Sequence, residues 1–327
     1  MFRENKRVSI CLLCTIIFSL WYWYSSSFIF IRNDSIDQPI KRPLNTTFIH
    51  LNGNIKTIGN VKQMFIINLP YREDRRIGSI GLFQKLDFDA FIVPAYSIDS
   101  PEIRSRIHLT RKNSIRLVEI ACWASHIQLW LEVASSPNDN TWILIFEDDI
   151  DLELSTYDIL QSFPSHLWTS PDIIQLGYCG NAPGRLIYTG LQDYRLHQAK
   201  HPGCTHAYAI RSSSARKLLS FLSIPLKPID DAIIDLVDDK QLLVYSIHPP
   251  LAIQQVNTSA RQADISPVRS RFMHQIKTWT NFIFDTWTGA EIGRQLKNST
   301  LAQVNFVQAN QWRIQHESQI WKRNLSQ

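Results

Sequence analysis

Charge is scarce in this sequence. Asp, Glu, Lys and Arg make up 19% of its 327 residues, and the net charge is only +5. The basic residues are scattered rather than gathered into a patch, which argues against a nucleic-acid-binding role. No internal repeat is visible. Cysteine is also sparse: Cys11 and Cys14 fall in an apolar run, and Cys122, Cys179 and Cys204 remain. Their spacing is not that of a zinc site, and an odd set of three allows at most one disulfide among them. From Val8 to Ile31 charge is missing altogether. That run is long enough to cross a bilayer as a helix, and Trp21, Tyr22, Trp23 and Tyr24 are residue types that favour its interface. A basic heptapeptide, "MFRENKR", precedes it, and no small-x-small cleavage site stands out, so a signal anchor is expected rather than a cleaved signal peptide.

This gives a cytosolic tail at 1–7, a transmembrane anchor at 8–31 and a lumenal remainder. Sequons at Asn33, Asn45, Asn257, Asn298 and Asn324 permit glycosylation there. Residues 32–60 are polar and turn-rich, as a stem would be. A globular domain is expected over 61–266 and an aromatic-rich, helical C-terminal extension over 267–327. Apolar residues make up 44% of the chain, ample for a core. Met64–Ile67, Phe88–Ser97, Thr141–Leu152, Pro171–Gly180, Cys204–Ile210 and the run "LLVYSIHPP" read as strands. Leu117–Ser136, "SSSARKLLSFL" and "DDAIIDLVDD" read as helices, the first because Ile120, Trp123, Ala124, Ile127, Leu131 and Ala134 recur at helical spacing. Strands alternating with helices predict an α/β fold with a mostly parallel sheet, and ligands of such sheets sit beyond the carboxyl ends of the strands.

The chemistry concentrates at those ends. "WILIFEDD" carries five large apolar residues straight into Glu147, Asp148 and Asp149. Adjacent carboxylates resist leaving water unless something positive compensates them. In a regular strand Glu147 and Asp149 share a face, as two oxygen ligands for a hard cation would, with Asp148 opposite. An ordinary acidic turn is the plainer alternative. "INLPYREDRR" offers Asn68 just past a strand, and Arg72, Arg75 and Arg76 with forked donors suited to phosphate; a self-paired helix start is the alternative. Ser125 and His126, side by side in the aromatic helix, can reach a substrate hydroxyl, base or phosphate, and no GxSxG surrounds the serine. Asp230 and Asp231 open a helix, where the dipole favours the ionised form that a general base requires, although capping alone accounts for them equally well. His248, before two prolines, is a candidate additional metal ligand.

In this order, "FIINLPYREDRR", "EIACWASHIQLW", "ILIFEDDIDL", "CTHAYAIRSSSARKLL", "PIDDAIIDL" and "HPPLAIQQ" resemble glycosyltransferase family 25, which includes lipopolysaccharide and collagen β-galactosyltransferases. The resemblance covers roughly residues 62–256. It implies a GT-A-type nucleotide-binding fold, a UDP-sugar donor (typically UDP-galactose), Mn²⁺ or Mg²⁺, and inverting transfer to a hydroxyl of a glycan, glycolipid or protein. It places the metal-binding acids at Glu147, Asp148 and Asp149, the early motif at Asn68, Leu69, Arg72 and Arg76, and the late aspartate at Asp230. Ala121 stands where the family usually has glycine, with bulky Trp123 nearby, and His206 replaces a small residue. The expected protein is thus a type II transferase of the Golgi or endoplasmic reticulum. The alternative is a catalytically inactive lumenal binding protein of the same fold; a metal-dependent phosphoesterase fits less well, because the acid set is poor in histidine.

Overall fold

The computed structural model describes residues 49–51, 53, 58, 61–179, 183–255 and 296–320. All belong to one compact unit, Ile40–Gln327. The expected anchor at 8–31 and most of the stem lie outside the described residues. Among the described residues no helix is long and apolar enough to cross a membrane.

The chain runs through β1 (Ile49–Leu51), β2 (Val61–Asn68), α1 (Glu73–Leu86), β3 (Ala90–Pro94), α2 (Pro101–Arg104), α3 (Ile107–Asn113) and α4 (Leu117–Ala134). It continues with β4 (Trp142–Glu147), β5 (Ile150–Leu152), α5 (Thr156–Gln161), β6 (Ile173–Gln175), β7 (Leu186–Thr189), β8 (Arg195–Gln198) and β9 (Ala207–Arg211). Last come α6 (Ser212–Phe221), α7 (Ile229–Asp238), β10 (Val244–His248), β11 (Ala252–Gln254) and α8 (Phe306–Ile320). Nine strands form one sheet in the order β1-β3-β2-β4-β9-β6-β10-β8-β7, and β11 pairs with β5 in a small second sheet.

The α/β class matches the expectation, but the sheet is mixed rather than mostly parallel. β2 is parallel to β3 and β4, and β10 is parallel to β6. β9 runs antiparallel to both of its neighbours, β4 and β6, and β1, β7 and β8 add antiparallel edges. Among the described residues no α-helix lies between β6 and β9; the β7–β8 hairpin occupies that interval, without the helical crossover that parallel pairing needs.

β4 explains its own apolar run. Trp142, Leu144 and Phe146 pack with α1 residues such as Phe83 on one face of the sheet. Ile143 and Ile145 pack with α4 residues such as Trp123 and Trp130 on the other. A strand covered on both sides needs apolar residues at every position. The helix α4 starts at a capping box in which the Arg116 backbone N–H donates to Glu119 (2.8 Å).

The expected long strand "TWILIFEDDIDL" breaks in two: β4 stops at Glu147, Asp148 and Asp149 form a turn, and β5 leaves for the second sheet. Asp151 and Glu153 alternate with apolar residues, a pattern that predicts a half-exposed strand, yet both are buried. Asp151 accepts hydrogen bonds from the Ser299 hydroxyl (2.5 Å) and the Leu301 backbone N–H (2.9 Å). Glu153 accepts from the Asn298 backbone N–H (2.9 Å) and from Asn298 Nδ2 (3.2 Å). The nitrogen that a glycan would occupy at this sequon is therefore already engaged. Beyond this clamp α8 lies against α1, where Arg313 pairs with Glu73. Gly81 lets the two approach: a Cβ there would stand 2.3 Å from Val304 Cγ1 and 3.3 Å from Ala309 Cβ.

Candidate active site

The carboxyl ends of β2 and β4 open into a cleft of about 310 Å³, within the size range of small-ligand sites. Glu147, Asp148 and Asp149 line it from one side, with Arg75 from α1 and Ser125 and His126 from α4. Because β4 ends at Glu147, the two aspartates do not take opposite faces. Arg75 Nη1 reaches both, at 3.0 Å from Asp148 Oδ1 and 3.2 Å from Asp149 Oδ2.

Asp148 is fully engaged. Asn68 Nδ2 donates to its Oδ2 (2.6 Å), Arg75 holds its Oδ1, and the Ser79 hydroxyl donates to its backbone carbonyl (3.4 Å). Burial pushes its carboxyl up, and Arg75 and Asn68 pull it back only in part. Asp149 is held less completely. Gln254 Nε2 donates to its Oδ2 (3.2 Å), while its Oδ1 is buried without a hydrogen-bond partner. Burial first, and then the negative charge of Glu147, push its pKa up to about 7 against the opposing field of Arg75.

Glu147 faces α4. His126 Nε2 lies 3.4 Å from its Oε1, to which the Thr205 hydroxyl also donates (3.0 Å). Burial would raise this carboxyl, but contact with His126, the field of His206 and the Thr205 hydrogen bond together bring it below its ordinary value.

The residues expected from sequence divide into those at the acids and those elsewhere. Asn68 touches Asp148 directly, and Leu69 lines the cleft. Arg76 is buried and supports Asn68, donating to its Oδ1 (2.8 Å) and to the Pro70 carbonyl (2.9 Å). Arg72 pairs with Asp74 through two 3.0 Å bonds. Of the three arginines, Arg75 is the one on the acids. Ser125 accepts from the Tyr96 backbone N–H (2.9 Å) and donates to the Ala121 carbonyl (2.8 Å), so it ties α4 to the loop after β3.

Asp230 and Asp231 open α7 and are not among the residues lining the cleft. Asp230 Oδ1 accepts the Asp231 backbone N–H (3.0 Å). Its charge nevertheless contributes, after burial and Glu147, to raising the thiol of Cys122, which does line the cleft. His248 is not brought to the acids. It ends β10, three strands from β4, or about 14 Å at the usual strand spacing. There it bonds Ser246 (3.0 Å) and packs tilted against the Tyr178 ring, and burial, with His197, lowers its pKa to about 3.

Sequence reasoning missed Arg75 as the preferred arginine, and it missed Thr205, Gln254 and Gln255. The two glutamines clasp the acid turn: the Gln255 backbone N–H donates to the Asp149 carbonyl (2.7 Å) and its Nε2 to that of Ile150 (3.0 Å). Their one signal was position, at the end of the "HPPLAIQQ" motif. Cys179 and Cys204 form the single disulfide that the cysteine count allowed, leaving Cys122 free.

His206, the replacement for a small residue, packs over Gly177. A Cβ on Gly177 would lie 2.1 Å from His206 Nε2 and 2.5 Å from the Ala252 carbonyl. Gly177→Ala is therefore expected to destabilise the fold by about 1–3 kcal/mol, read as a lower denaturant midpoint. An unchanged midpoint would mean that the ring and β11 yield freely.

Residues 61–181 match the model of glycosyltransferase family 25 (LPS biosynthesis protein). The family 25 match contains β2, α1, α4, β4 and the acid turn, so the motif resemblance holds over the segment that builds most of the cleft. What the family supports is glycosyltransferase activity in general. Thr205, Tyr208, Asp230 and Gln254 lie beyond the matched segment. No curated protein matches the chain.

Proposed function

We propose that the cleft binds a nucleotide sugar, with UDP-galactose the first choice, and transfers its sugar to a hydroxyl of a glycan, glycolipid or protein with inversion. The observation that carries this is the Asp149 carboxylate, with a buried oxygen lacking a hydrogen-bond partner next to a second carboxylate, Glu147. Such a pair fits a hard divalent cation, Mn²⁺ or Mg²⁺, held by Glu147 and Asp149. Bound there, the ion would neutralise charge developing on the diphosphate leaving group. Asp148, saturated by Asn68 and Arg75, holds the turn rather than the ion.

Arg75 stands at the same wall and suits phosphate oxygens through its forked donors. Of the two late aspartates, Asp230 is the proposed general base: the motif resemblance puts the late aspartate there, and it is less exposed than Asp231. It would take the acceptor hydroxyl proton as that oxygen bonds the anomeric carbon and the bond to the diphosphate breaks. The domain is read as GT-A type, and the chain as a single-pass type II protein of the Golgi or endoplasmic reticulum. The disulfide supports an oxidising compartment.

Calorimetric titration of the full-length chain with UDP-galactose tests this. Binding is expected with Mn²⁺ and not after chelation. Failure of the folded protein to bind any nucleotide sugar would sink the reading. The bridge from Arg75 to both aspartates favours one alternative, an inactive binding protein whose acids are compensated from within. That protein would bind its ligand equally well with chelator and would transfer nothing.

A further inference from the structure

Glu147 stands at the end of a line of polar groups that starts in the core between α4 and β9. Trp130 Nε1 donates to the Tyr208 hydroxyl oxygen (2.8 Å), and that oxygen lies 3.0 Å from His126 Nδ1. His126 Nε2 in turn faces Glu147 Oε1. Trp130, Tyr208 and His126 are 0%, 2% and 1% exposed, so each polar atom must find its partner inside the protein.

Direction along this line is decided at its inner end. An indole N–H can only donate, so Trp130 consumes an acceptor position on the Tyr208 oxygen. The Tyr208 hydroxyl proton then needs an acceptor, and His126 Nδ1 is the partner within reach. Nδ1 must therefore be the unprotonated nitrogen, and the ring proton sits on Nε2, facing Glu147.

We propose that Trp130 and Tyr208 are positioning residues that fix His126 as its Nε2–H tautomer. His126 and Thr205 then both hold Oε1 of Glu147 and leave Oε2 for the cleft. The same assignment decides a neighbouring question. Ligand atoms of Cys122, His126 and Glu147 lie within 4.8 Å of one another, close enough to suggest a second, softer metal site. A ring held as the Nε2–H tautomer offers no lone pair there, so a metal at that cluster would have to reverse the hydrogen bond to Tyr208. The consequence for cation binding rests on the reading of Glu147 as a ligand; the tautomer does not.

The test uses the full-length chain labelled with ¹⁵N-histidine, the His126 signals being identified by their loss in His126→Gln. The proton is expected on Nε2. In Tyr208→Phe the Nδ1 signal should lose the shift that the hydroxyl hydrogen bond gives it, with Glu147 still favouring Nε2–H, and Mn²⁺ affinity, measured by calorimetry, should fall about tenfold or more. Trp130→Phe keeps the hydroxyl but frees it to turn, and should move the same Nδ1 signal part of the way. A proton on Nδ1 in the unsubstituted chain would overturn the proposal. So would a Tyr208→Phe protein with an unchanged Nδ1 signal and unchanged Mn²⁺ affinity. If the unsubstituted chain binds no Mn²⁺, the cation reading of Glu147 falls, and the spectrum alone decides the roles of Trp130 and Tyr208.

Discussion

Asp149→Asn is expected to cut sugar transfer by about 10²–10³-fold or more, the scale on which removal of one electrostatic stabiliser acts, and to leave the fold at least as stable. The two halves of this result have one cause. The Asp149 carboxyl has its pKa raised from 3.8 to about 7 by burial and by Glu147. Between those values the folded chain holds a proton that the unfolded chain has released, so stability falls as pH rises from about 4 to about 7. The ionised group is then a burden on the order of 4 kcal/mol, one that a divalent cation would relieve. Asparagine removes the burden and the ligand together. Melting temperatures from pH 5 to 8 should decline less steeply for the variant than for the parent, while Mn²⁺ affinity of the parent should rise through that range. Parent-like turnover by a folded Asp149→Asn protein would remove Asp149 from the mechanism.

Arg75→Met should be the most damaging single change to stability at the site. It leaves Asp148 and Asp149, both buried, without the guanidinium that bridges them. Breaking a buried charge cluster from one side costs about 3–5 kcal/mol. The loss should grow with pH as the carboxylates ionise, and saturating Mn²⁺ should recover part of it by binding the folded state alone. Thermal unfolding at pH 6 and pH 8, with and without Mn²⁺, reads all three effects. A variant as stable as the parent at pH 8 without metal would show that the acids need no compensation.

Local periodicity made some of this molecule legible. α4 was expected over 117–136 and spans Leu117–Ala134, because its apolar residues recur at helical spacing. β4 was equally plain, since a strand covered on both faces has no polar interruption. What periodicity cannot report is the partner. Asp151 and Glu153 alternate as half-exposed residues would, yet Asn298, Ser299 and Leu301 bury them from some 145 residues away.

The arginines posed a problem of phase: Arg72, Arg75 and Arg76 are adjacent in composition, and only the rotation of α1 against β2 puts Arg75 on the acids and Arg76 beneath Asn68. The one mark of the reversed direction of β9 was that no α-helix was expected between Pro171–Gly180 and Cys204–Ile210. His248 was a candidate ligand although a lone histidine more often is not one, and strand order puts it away from the acids.

The clamp on Asp151 and Glu153 bears on how the protein is made. Both lie within a few residues of the acid turn, and both find their donors in a segment that leaves the ribosome almost 150 residues later. Chains grow from the N-terminus at roughly 5–20 residues per second. For at least several seconds, then, a nascent chain holds β4 and its acids complete in sequence while the segment that secures β5 does not yet exist. Throughout that interval the Asp151 and Glu153 carboxylates lack the donors that hold them in the finished fold. The acid turn gains its neighbouring support only once residues 298–301 have emerged.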